Sequence, residues 1–386
     1  MLRSGCTSVF ELFGSFPMAD VESARAVAKA YTDLGMRALI APMLSDIGFS
    51  DTVPFLERYV PEDLRDAAGF GKREDARRAL ELLEALLTNF QGDGNGRINW
   101  AVAPLSPGDC SDELLEGCFE LSTRFDSICH VHIAETRIQV ANARRRWGKS
   151  MVRHLDDMGG INDKFVAAHG VWLEPAELDI LAQKGAKVAH NPISNLKLGS
   201  GIAPVREMLD LGLEVGLGCD GSTQSDNQNM FEVMRVAGML GNLRFPYRTG
   251  KWITAEESFS MATIGGAALT GQARKLGRIE EGYRADLVLL ELRTGYLSPP
   301  NNMTSGLVFS ETGSDVRSVI VDGRVVLRDG RVLGLDEVAI HEAARDAASA
   351  ILARARSGLA VAQDLEPFLE QAVQRTLGGC GCRGGY

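Results

Sequence analysis

Long apolar runs are missing from this chain. No stretch of about 18 uninterrupted apolar residues occurs, which excludes a membrane-spanning helix. Positive charge is in the minority: 41 Lys and Arg stand against 51 Asp and Glu, for a formal net charge of -10. That balance argues against nucleic acid as a partner, because phosphate backbones call for clustered Lys and Arg. Phosphate cradles are missing too, since neither G-x-G-x-x-G nor a P-loop pattern follows any strand-like run. Histidine is scarce, with six in 386 residues, at 130, 132, 154, 169, 190 and 341. The seven cysteines are scattered and odd in number. Cys6, Cys129 and Cys219 lie in strand-like runs, which fits reduced, buried thiols in a cytoplasmic protein. Cys380 and Cys382 belong to a glycine-rich tail expected to be a flexible end. The N-terminal MLRSGCTSVFELFGSF carries one Arg and an apolar patch broken by Glu11, so it does not read as a signal peptide.

What is present is an ordinary globular composition, 45% apolar and 24% charged, long enough for one large domain or two smaller ones. Strand-like runs alternate with amphipathic helices. Counting from Cys6 to Asp220, seven strands are expected: SGCTSVFELF, RALIAPM, RINWAVAP, SICHVHIAE, KFVAAHGV, AKVAHNP and EVGLGCD. Helices are predicted over Val21–Leu34, with Asp20 as cap, over Arg73–Phe90, and after each later strand. The segment Ser45–Phe70 reads as a long loop with short helices, and ISNLKLGSG as a loop. From Gly277 the texture changes to short alternating strands with Asp-Gly turns, a small antiparallel element. These patterns divide the chain into a barrel over 1–276, a small β element over 277–334, C-terminal helices over 335–377 and a tail over 378–386.

Strands that alternate with helices imply right-handed βαβ units and a parallel sheet. The chemistry-prone residues fall at C-terminal strand ends, where a (β/α)₈ barrel of the TIM type keeps its active site. A doubly wound open sheet is the competing α/β fold, but it gathers its ligand residues at one switch point rather than on successive strands. The centre of the pattern is SICHVHIAET, 127–136. Side chains alternate along a strand, so His130 and His132 share a face, and Glu135 lies just past the strand end within reach of a metal held by His132. Imidazole and carboxylate suit zinc or iron, and a free carboxylate can carry protons. A buried strand can also carry two histidines for packing alone.

Five stretches in order, HVHIAET at 130–136, AAHGVWL at 167–173, HNPISNLKLGSG at 190–201, GCDGSTQSDNQNMFEVMR at 218–235 and GRIEEGYRADLVLL at 277–290, resemble the amidohydrolase superfamily. The branch is that of the S-adenosylhomocysteine and methylthioadenosine deaminases, the cytosine and guanine deaminases and the triazine hydrolases. The resemblance implies one divalent metal, zinc with iron as the alternative. It implies His132 as a metal ligand from the fifth barrel strand, Glu135 as the proton carrier, His169 as the residue that holds the water or touches the metal, and Asp220 as a ligand that takes the water's first proton. His130 and His190 would orient their neighbours. The pattern differs from the zinc deaminases built on H-x-E and P-C-x-x-C, since no C-x-x-C occurs. The family's first strand carries a His-x-His that this sequence lacks, and the chain therefore reads as truncated, with two unpaired strand edges and weak activity.

The implied reaction is hydrolysis of a C–N bond in a small heterocyclic substrate, deamination of a purine, pyrimidine or nucleoside-like ring. Triazine dechlorination or removal of an alkylamine is the near alternative, and a degenerate, non-catalytic barrel is the alternative of another class. Arg137 and Trp172 are candidate substrate contacts with structural readings beside them, as the start of a solvated helix and as core. Asn195, Lys197 and Ser222 lie in motif loops without an assigned role. A homo-oligomer is expected by family habit.

Overall fold

Alternation over Ser8–Phe13 and a continuous apolar run over Arg37–Leu44 give two parallel strands, β1 and β2, paired from Ser8↔Arg37 to Phe13↔Pro42. The computed structural model describes residues 1–14, 19–295, 297–299 and 301–379. Most of the expected tail, with Cys380 and Cys382, lies outside them. Between β1 and β2 runs the helix Val21–Leu34, whose cap Asp20 accepts the Ser23 N–H at 2.8 Å.

The expected single strand RINWAVAP is two short ones. β3 (Ile98–Trp100) and β4 (Ala103–Pro104) both pair with β2. The break has a visible cause: Val102 turns its backbone to the next strand, accepting from His130 N at 2.8 Å and donating to Ile128 O at 2.9 Å. That strand, β5 (Cys129–Ile133), continues in parallel to β6 (Phe165–His169), β7 (Lys187–His190) and β8 (Glu214–Leu217). Cys6 and Cys219 lie just outside β1 and β8 rather than within them.

The parallel wall therefore runs β1 to β8 in chain order, the wall of a TIM-type barrel. Ala41, Ala103, Val166 and Ala189 from its strands, with Ala101 and Ile128 beside them, pack together with Leu269. A helical turn over 261–269 lies directly against β8. A Cβ on Gly265 would stand 2.1 Å from the Val215 carbonyl oxygen, so only glycine permits this approach. Among the described residues no further strand pairs with the free edges of β1 or β8.

Four antiparallel strands follow: β9 (Leu287–Leu290), β10 (Val316–Val321), β11 (Arg324–Arg328) and β12 (Arg331–Val332). The two connecting turns are the expected Asp-Gly pairs, with left-handed backbone at Asp322, Gly323, Asp329 and Gly330. Arg37 of β2 ties this sheet to the barrel through buried contacts to Asp286 at 3.1 Å and Asp322 at 3.4 Å. The C-terminal segment is one helix, Glu337–Gly379, with Pro367 inside it, rather than several. Most of it is exposed, and its far end buries Ala372 against Val53, Leu56 and Val60. Among the described residues no helix is long and apolar enough to cross a membrane.

Candidate active site at the rim of strands β5 to β8

Three of the four strands β5 to β8 leave the wall through a residue in the left-handed region: Ala134 after β5 (φ 49°), His169 at the end of β6 (φ 69°) and Asp220 after β8 (φ 60°). Non-glycine residues rarely adopt this backbone, and it persists where the surroundings enforce it. These turns bring His132, Glu135, His169 and Asp220 to one place on the rim.

His132 is fixed from two sides by one carbonyl. Leu105 O, just past β4, accepts the His132 backbone N–H at 3.0 Å and lies 2.7 Å from Nδ1. A carbonyl can only accept, so Nδ1 carries the proton and Nε2 presents its lone pair. His169 is fixed the same way by a side chain: its Nδ1 lies 2.8 Å from Asn195 Oδ1. The two imidazoles stack with centroids 5.3 Å apart.

His169 Nε2 lies 3.8 Å from Asp220 Oδ2 and 4.0 Å from Glu135 Oε2. Burial holds both histidines below the usual imidazole range, so neither contact is an ion pair between charged groups. Burial likewise pushes the Glu135 carboxyl up, opposed by His132. A lone pair and two carboxylates thus face one another, an arrangement that favours a proton or a cation between them.

The donors suit a divalent cation: two neutral imidazoles with free Nε2 atoms, and carboxylates. Two ligands on one zinc lie about 3.4 Å apart for tetrahedral bonds near 2.1 Å, and the 3.8 Å between His169 and Asp220 is close to that. Yet among the described residues no three His, Cys, Asp or Glu side chains stand close enough to form a cage as they lie. The donors fit the group in type, and the set is open.

The remaining expected residues divide clearly. His130 and His190 are buried, each with an Nδ1 that has no partner among the described residues; burial pushes His190 down to about 3. His130 packs edge-on to Phe10 of β1 at 4.9 Å. Arg137 and Trp172 meet each other, with the guanidinium 5.4 Å from the ring, and the indole N–H donates to Ser200 O at 2.7 Å. Lys197 points away to Asp226 at 2.6 Å, and Ser222 is exposed.

The sequence reading missed the residues that hold the site. ISNLKLGSG is not an open loop: Pro192–Lys197 is a short helix with proline at its start. From this segment Ser194 Oγ donates to Asp220 Oδ2 at 2.6 Å. Asp109, hydrogen-bonded to Ser106 in the loop after β4, adds a half-buried carboxyl whose proton affinity desolvation raises, within electrostatic range of His132 and Glu135. Small polar residues clustered beside a histidine were the only available signal.

Comparison with known proteins agrees with this geometry. The profile of the amidohydrolase family matches residues 1–326. A 5'-deoxyadenosine deaminase from Methanosarcina mazei is 35% identical over 357 residues, covering 92% of this chain and 74% of its own. A zinc-bound adenosine deaminase from Xanthomonas campestris superposes with a TM-score of 0.75 at 27% identity, over 89% of this chain and 71% of that one. An atrazine chlorohydrolase from Arthrobacter aurescens TC1, complexed with zinc, gives 0.77 at 25% identity, over 95% and 74%. With the family profile spanning the whole barrel and a relative above one-third identity along most of the chain, this protein belongs to the amidohydrolase family.

Proposed function

We propose that the protein hydrolyses the exocyclic amine from a nucleoside-like aromatic ring, an adenosine-type deaminase reaction, with one divalent metal, zinc first. The observation that carries this reading is the convergence of the His169 Nε2 lone pair with the Glu135 and Asp220 carboxylates at 4.0 and 3.8 Å. The identity to a 5'-deoxyadenosine deaminase supports the substrate class.

His132, Asp220 and His169 would hold the cation. Such an ion supplies a hydroxide-like water near neutral pH by lowering its pKa to about 7. The residues themselves do the rest. Asp220, steadied by Ser194, accepts the water's first proton. Glu135, whose carboxyl burial has raised, takes the water's remaining proton and delivers it to the departing nitrogen, which leaves as ammonia, while the first proton passes from Asp220 to the ring nitrogen. His169, kept neutral and pinned by Asn195, would offer its Nε2 lone pair to the cation. Trp172 and Arg137 provide a flat cationic surface beside Glu135 on which a ring can stack.

The test is ammonia release from 5'-deoxyadenosine, adenosine and methylthioadenosine with zinc in excess, since the open donor set predicts weak retention of the ion. Release that depends on zinc and stops on Glu135→Gln supports the reading; no release from any of them contradicts it. The likeness to the atrazine chlorohydrolase favours a second reading, triazine hydrolysis, which chloride release from a chlorinated triazine distinguishes.

A further inference from the structure

We propose that the segment 191–201 after β7 is a single positioning element that sets three groups on three other strands at once, an inference that rests on the deaminase reading. Ser194 Oγ donates to Asp220 Oδ2 at 2.6 Å, beyond β8. Asn195 Oδ1 lies 2.8 Å from His169 Nδ1 on β6. Ser200 Oγ makes a longer contact of 3.5 Å to Glu135 Oε1, beyond β5. Every group assigned a proton-transfer role is therefore touched by one eleven-residue stretch.

The stretch is built to hold still. Ser194, Asn195 and Ser200 are all buried, at 0%, 1% and 5% exposure. Ser200 N–H closes the stretch onto Asn195 O at 2.8 Å, and Asn195 N–H onto Asn191 O at 3.0 Å. Trp172 clamps the far end through its indole N–H on Ser200 O. Gly201, at φ 126°, lets the backbone pass this indole; a Cβ there would meet Val171 at 3.0 Å and Trp172 at 3.2 Å.

The contacts are chemically directed. Asn195 presents an acceptor, which selects the His169 tautomer with a proton on Nδ1 and a lone pair on Nε2. Its amide Nδ2 is buried without a partner among the described residues, so its orientation is not bought by a second hydrogen bond. Ser194 donates to Asp220 and holds one oxygen, while Gly221 N–H holds the other at 2.8 Å. Ser200 turns its hydroxyl towards one Glu135 oxygen. These are positioning residues: they act through groups that would touch substrate.

The test combines histidine-selective ¹⁵N NMR with kinetics. In the unmodified protein His169 should show protonated Nδ1 and unprotonated Nε2. Asn195→Leu should give a mixture of tautomers, and Asn195→Asp, which keeps an acceptor, should restore the single tautomer. Ser194→Ala, Asn195→Leu and Ser200→Ala should each lower kcat by about 10- to 100-fold, with Ser200→Ala the mildest and KM little changed. Lys197→Ala, on the same segment but facing Asp226, should leave kcat unchanged. Should Asn195→Leu fail to fold, the tautomer of His169 in Asn195→Asp decides the point. A single unaltered tautomer in Asn195→Leu, a mixture of tautomers in Asn195→Asp, or losses of kcat that merely follow a falling Tm overturn the proposal. Absence of turnover in the unmodified protein would sink the deaminase reading alone, because the tautomer is read without substrate.

Discussion

Strands β5 to β8 and strands β1 and β2 share one parallel wall and end in different chemistry. β1 closes on Leu12 and Phe13, and β2 on Met43 and Leu44. β5, β6 and β7 close on His132 with Glu135 beyond it, His169 and His190, and Asp220 follows β8. Burial differs as sharply: every residue of β6 is buried, whereas every residue of β1 is only partly so. β6 has neighbours on both sides, and β1 has one among the described residues. One sector thus combines polar rim groups with dry walls, where an uncompensated charge is felt strongly. The other is packing and an accessible edge.

The comparison breaks most visibly in catalysis. Glu135→Gln should lower the rate of ammonia release by about 10²- to 10⁴-fold, whereas Met43→Leu at the β2 end should stay within about twofold. Equal losses would mean that the two sectors do not differ in function.

Core truncation comes next. Phe165→Ala empties a fully buried position in β6 and should destabilise by about 3–5 kcal/mol in urea unfolding. Phe13→Ala, half-buried in β1, should cost about half of that or less.

A smaller, pH-dependent effect sharpens the contrast, because β1 and β2 carry no histidine. Burial holds His190 at about 3 against 6.5 ordinarily. A depressed value means the unfolded chain takes up the proton first, so this stabilisation is fully present above pH 6.5 and is lost as pH falls towards 3. The stability of the unmodified protein relative to His190→Asn should therefore decline on acidification, with a slope of at most about 1.4 kcal/mol per pH unit. A difference independent of pH would contradict it. The smallest effect is local to the β1 side: Asp20→Ala, which removes the cap of the Val21–Leu34 helix, should cost about 1 kcal/mol with no change in the rim.

Much of this architecture was legible in the residues. The seven strand-like runs appear in order, counting β3 and β4 as one, because period-two alternation survives in half-buried strands and apolar runs mark the buried ones. Both Asp-Gly turns announced the small sheet. His132, Glu135, His169 and Asp220 are recognisable in the sequence as groups that close or follow apolar, strand-like runs. What stayed hidden depends on partners distant in sequence. The break at Val102 arises because its backbone bonds leave β2 for β5. Ser194 and Ser200 look like ordinary loop serines, since a hydroxyl's role is set by which carboxylate faces it. The helix Pro192–Lys197 is too short to show a period and is marked only by its leading proline.

The central claim is that the β5–β8 rim acts as one cation-holding unit. Zinc titration by calorimetry on the chain and on its His132→Ala and Asp220→Asn variants tests it most directly. One saturable site, weakened at least about tenfold in each variant, is the predicted result. No binding to the unmodified chain, or equal binding by all three proteins, would contradict it.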